Sequence, residues 1–140
     1  MQKKACRGQS SFEYLMIIVL MLAILLPAVY LAGSRSEYSK GRISADNFVS
    51  VLFSSIESLY KQGIGSSANV KAYLPGGYQP GLSYANGDTI SIYFEISGGH
   101  VLNYTKKAAT EVVWQVPNNP GYISMNMTLL SNGSVSIQNL

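Results

Sequence analysis

The stretch Arg7-Gly8-Gln9-Ser10-Ser11-Phe12-Glu13-Tyr14 runs directly into an apolar segment from Leu15 to Ala32, with Lys3 and Lys4 just ahead of it. From Tyr14 to Ser34 there are 21 residues without a charge. A bilayer core of roughly 30 Å needs about 20 apolar residues in a helix, so this segment is long enough to span one. Pro27 falls inside it, and membrane helices tolerate proline where the freed carbonyl finds another partner. The residues after the segment change character and read as a separate, water-facing β domain.

Beyond Gly33-Ser34 a second helical pattern begins. Ala45, Phe48, Val49, Leu52, Phe53, Ile56, Leu59 and Tyr60 recur at spacings of three and four, which makes one apolar face. Ser50, Ser54, Glu57 and Lys61 occupy much of the other side, and Gly63 and Gly65 stop the pattern. The spacing predicts one long helix over residues 10–62, with Gly33 and Gly41 as the places where it would loosen, apolar all round in its first half and amphipathic in its second.

From Val70 onward the period becomes two. Ile90, Ile92, Phe94 and Ile96 alternate with polar residues, as do Ile123, Met125, Met127 and Leu129. Shorter runs surround Val70 to Leu74, Leu102 to Tyr104, Val112 to Val116 and Val135 to Ile137. Asn86-Gly87-Asp88, Ser97-Gly98-Gly99 and Asn132-Gly133 supply turn chemistry between them. The fold class expected is α+β, a long hydrophobic then amphipathic N-terminal helix packed against an antiparallel meander of five or six strands.

Three readings compete for the amino-terminal stretch. A secretory signal peptide has an apolar region of roughly 7–15 residues followed by a small-x-small cleavage site. Here the run is longer, and Tyr30 and Leu26 stand where the second small residue belongs. A plain membrane anchor satisfies the length alone. Neither explains why Gly8 sits between the basic residues and the apolar run, nor why Glu13 lies just inside its mouth.

The third reading accounts for both. The stretch resembles an archaeal type IV pilin precursor with its class III signal peptide, in which a short basic leader ends in Gly and Q-x-S-x-E-x-x-x-L opens a hydrophobic helix. Gln9, Ser11 and Glu13 match at the right spacing, while Ile17 stands where Leu is usual. The resemblance covers about the first quarter of the chain. It implies that a membrane-embedded prepilin peptidase cuts between Gly8 and Gln9 and leaves the apolar helix in the protein. Lys3, Lys4 and Arg7 would hold the leader in water and near anionic headgroups.

On this reading residues 1–8 are the leader, 9–34 the membrane and filament-core helix, 35–62 its amphipathic continuation, and 63–140 the β head. The resemblance also pairs Glu13 with the amine of Gln9 in a neighbouring subunit to set axial register, and makes Pro27 a helix kink. A carboxylate inside hydrocarbon costs about 2.5–3.5 kcal/mol and is usually paired. Position 17 is Ile, so Glu13 has no cation one turn on. The family further implies a pilus assembly ATPase, a membrane platform protein, and a homopolymeric surface filament used for adhesion.

Composition narrows the alternatives. Removing residues 1–8 takes three of the ten basic side chains, leaving seven against seven acids. No basic patch then remains for phosphates, which argues against a nucleic-acid partner. Cys6, the lone cysteine, leaves with the leader, so no disulfide is expected. Three basic residues flank the span on each side, so the positive-inside rule does not orient it.

Three Asn-x-Ser/Thr sequons, at Asn103, Asn126 and Asn132, favour an external carboxyl domain and are the glycosylation candidates. No catalytic constellation, cofactor or metal site is expected. His100 is the only histidine, expected in a loop, and the acids are scattered. Trp114, alternating with valines, is expected in the core. The competing function is a membrane-anchored β domain that binds a surface ligand and never polymerises.

Overall fold

A computed structural model describes residues 6–96, 99–115 and 119–140, with side chains from residue 12 onward. Lys3, Lys4, Gly98 and Val116 lie outside the described residues. The chain separates into two compact units, Met1–Glu37 and Tyr38–Leu140. Helix α1 (Cys6–Gln62) supplies nearly all of the first unit and the opening of the second. It begins four residues ahead of the expected start. It is helical through Pro27, whose missing N–H leaves the Ala23 carbonyl without its usual donor.

The second unit is an α+β domain: among the described residues, the later part of α1 packs against seven strands in two sheets. The strands are β1 (Ser67–Leu74), β2 (Tyr84–Asn86), β3 (Thr89–Ile96), β4 (His100–Lys107), β5 (Val112–Trp114), β6 (Gly121–Leu129) and β7 (Val135–Asn139). One sheet has the order β1-β6-β7-β5 and the other β2-β3-β4. All pairs are antiparallel except β5 with β7. The sheets meet where Val112 N donates to the Gly87 carbonyl at 3.0 Å.

A single core joins the three layers. Ala45, Phe48, Leu52, Ile56 and Leu59 from α1 are buried with Ile90, Ile92 and Phe94 of β3, and with Met125 and Met127 of β6. Phe94 lies edge-on to both Phe48 and Tyr104, with ring centroids 6.1 and 5.9 Å away. Gly63 ends α1 in the left-handed region at φ +93, and its N–H returns to the Leu59 carbonyl at 3.2 Å. Gly87 opens the two-residue β2–β3 turn at φ +60, the first-position glycine that a type II′ hairpin requires.

Local expectations are corrected at several points. The meander gives way to two sheets with a parallel edge pair, because period-two alternation says which face is inward but not which strand is the neighbour. Strand β2 was not anticipated, since of its three residues only Ala85 turns toward the core. Tyr60 is exposed rather than on the buried stripe, because one position past Leu59 lies about 100° further around the helix. His100 opens β4 opposite Ile96 instead of lying in a loop, with its ring 5.9 Å from that of Tyr38. Trp114 is half-buried and packs against the core from the β5 edge.

Gly77 shows how close the backbone runs beside β3. A Cβ at this position would stand 1.6 Å from the Glu95 carbonyl oxygen, whereas one at Gly76 would meet nothing within 4 Å. Gly77→Ala therefore forces backbone apart and destabilises the head by about 1–3 kcal/mol or more, while Gly76→Ala leaves it unchanged. Urea melts of the two variants of the full chain in detergent, followed by tryptophan fluorescence, measure the difference.

Candidate functional site

The first unit exposes the apolar surface of its described side chains. Every described side chain from Phe12 to Leu31 is exposed, including Leu15, Ile17, Leu20, Ile24 and Leu25. The helix is long and apolar enough to cross a membrane, and none of that apolar window is buried within the chain. In water, leaving so much hydrocarbon uncovered is unfavourable by about 25 cal/mol for each Å². Lipid or other helices relieve that cost without disturbing the backbone, because a helix satisfies its own N–H and C=O groups.

Glu13 stands at the mouth of this surface, exposed and without a hydrogen-bond or ion-pair partner among the described residues. Arg7, Gly8 and Gln9 lie four to six residues ahead, within the first turns of α1. The structure thus puts Gly8, Gln9 and Glu13 on one helix together with Pro27.

The sequons occupy three different settings. Asn103 is exposed on β4, an edge strand, where its Oδ1 accepts from Thr105 Oγ1 at 3.1 Å. Asn126 is half-buried on β6, between Asn69 of β1 and Gln138 of β7. Asn132, at the tip of the β6–β7 connection, is exposed, but its Oδ1 accepts from both N–H and Oγ of buried Ser134 at 3.1 and 2.8 Å. That last amide therefore holds the turn.

Two features escaped sequence reasoning. Tyr104 OH donates to Asp46 Oδ1 at 2.5 Å, tying β4 to α1. Tyr73 and Tyr122 face each other across β1 and β6 on the outer side of the sheet. Their outward positions follow from strand alternation, but their juxtaposition needs the β1–β6 register, which joins segments nearly fifty residues apart. Among the described residues, no three His, Cys, Asp or Glu side chains come together as a metal-holding group. The chain matches no protein-family model, no curated protein and no solved structure.

Burial, reinforced by the hydrogen bond to the Asp46 carboxylate, pushes the Tyr104 phenol up from 10.0 to about 12. Below pH 10 the phenol is protonated in folded and unfolded chains alike, and its contribution is fully present. As pH rises further the unfolded chain releases its proton first, so stability is lost up to the folded value. Tyr104→Phe should flatten the decline in stability between about pH 10 and 11.5, at a cost near neutrality of about 1 kcal/mol. Urea melts of the full chain in detergent across that range measure it. A variant with the same alkaline slope as the parent would contradict the assignment.

Proposed function

We propose that this chain is a structural subunit of an archaeal type IV pilus. A prepilin peptidase removes residues 1–8, and the apolar helix then moves from the membrane into the core of a surface filament used for adhesion. The observation that carries this reading is the unpartnered apolar helix surface from Phe12 to Leu31, in a chain whose second unit has a complete core of its own. The order of groups ahead of it (basic residues, Gly8, Gln9, Ser11, Glu13) supports a retained assembly helix over a disposable signal.

The physical course is simple. In lipid, neighbouring helices gain little from apolar burial alone, since acyl chains are as apolar as leucine, and close packing drives association. A carboxylate at Glu13 disfavours burial among apolar side chains unless a cation or donors meet it. The amine released at Gln9 of an adjacent subunit supplies that partner, so only one axial register is satisfied. If Gln9 cyclises, the partner is its lactam N–H. Head domains add contacts outside, and repeated heterologous contacts that do not close generate a filament. An assembly ATPase and a platform protein in the cytoplasmic membrane supply the work and the guide.

The alternative, an anchored head that does not polymerise, gives no use to Glu13. Glu13→Leu should leave membrane insertion and cleavage after Gly8 intact and abolish filaments. Electron microscopy of cells, with immunoblots of the processed and unprocessed forms, provides the readout. Normal filaments from processed Glu13→Leu protein would contradict the pairing role.

A further inference from the structure

The outer face of the four-stranded sheet has an unusual composition for an exposed surface. Tyr73 and Tyr122 lie directly opposite each other at one end, with ring centroids 5.3 Å apart and planes inclined at 65°. Tyr122 is 90% exposed, more than any other large apolar side chain described, and Tyr73 is 48% exposed. Isolated apolar side chains on a surface are ordinary, but two aromatic rings held together in the open are a candidate contact site. The inclined rings make a corner, and Tyr122 keeps most of its surface open to solvent.

Apart from Val113 at the β5 edge, opposite Ser136, most of the rest of the face offers amides and hydroxyls. Asn69, Asn126 and Gln138 form one row across β1, β6 and β7, and Ser124 lies between that row and Tyr122. Lys71, opposite Ser124, is the one charge among the outward residues of these three strands. Beside Tyr122 an open cleft of about 300 Å³ is walled by Asn119, Ser124 and Asn139. Each amide side chain donates and accepts at once.

We propose that this Tyr73–Tyr122 end of the outer sheet face binds neutral polysaccharide. A pyranose ring presents C–H groups on one face and hydroxyls around its rim. The C–H face packs on an aromatic ring by dispersion and by attraction to the π electrons. The rim hydroxyls, each a donor and an acceptor, match the amides and hydroxyls of the cleft and the adjoining row. The pattern of an apolar platform with a few convergent polar groups is that of a ligand site.

Other occupants fit less well. A polyanion would find only Lys71 to neutralise it. A protein partner would use the tyrosines too, but serine and lysine are depleted at such interfaces, and Ser124 and Lys71 stand between the tyrosines and the amide row. The inference rests on the face alone and holds for a filament subunit and for an anchored head alike, so its failure leaves the filament reading standing.

Asn126 shares this face, and a glycan attached there would cover part of it. The test therefore uses the full chain produced in a host without N-glycosylation, in an amine-oxide detergent that carries no sugar. Native electrophoresis through gels containing dextran, mannan or galactan is compared with plain gels and with gels containing dextran sulfate. At least one neutral polysaccharide should retard the chain. Tyr122→Ala should require about tenfold more polysaccharide for the same retardation, whereas Tyr122→Phe and Tyr84→Ala, the latter on the other sheet, should behave as the parent.

Near-ultraviolet dichroism checks that Tyr122→Ala keeps its fold. No retardation in any neutral gel, retardation by dextran sulfate alone, or retardation unchanged in Tyr122→Ala would overturn the proposal. So would a dimer in light scattering that Tyr122→Ala dissolves in the absence of sugar binding, since the face would then serve a second copy.

Discussion

The apolar side chains between Phe12 and Leu31 have no cover from their own chain, and much of the molecule's design answers to that. A helix with an apolar surface all round needs lipid or other helices about it. A soluble protein would fold such a helix into its core. Here the core closes without it, through the later residues of the same α1. One helix thus meets two opposite demands: an uncovered cylinder at its start and a single buried stripe, Ala45 to Leu59, at its end.

The head is built to bury that stripe. Inward faces of both sheets close over Phe48, Leu52 and Ile56, and Tyr104 reaches back to Asp46. The Lys106 ammonium lies 5.0 Å from the centre of the Phe53 ring, covering the stripe's margin. Outside, hydroxyls and amides replace most of the charge usual on a protein surface. A weakly charged exterior reduces the repulsion between copies brought close together, and it also suits contact with neutral, hydrated polymers.

Much of this was legible in sequence, for identifiable reasons. The long helix declared itself because apolar spacing of three and four persists from Ala45 to Leu59, and Gly63 sits where a left-handed residue ends it. Strands β3 and β6 were equally plain from Ile90 to Ile96 and from Ile123 to Leu129. Partner choice was not. Alternation at Val112 to Trp114 says that Val112 points inward, but not that β5 lies parallel to β7. At the amino terminus the order of Gly8, Gln9 and Glu13 was visible as chemistry along a line. The Tyr73–Tyr122 corner was invisible until the β1–β6 register brought the two rings together.

The central claim is that the apolar helix is retained after processing and becomes the means of assembly. Mass spectrometry of the amino terminus, on filaments sheared from cells and purified, tests it most directly. The account predicts a chain beginning at Gln9, with a free or cyclised terminus, in a pelletable filament fraction. A chain retaining Met1 and its leader, found only in detergent-extracted membranes, would contradict it.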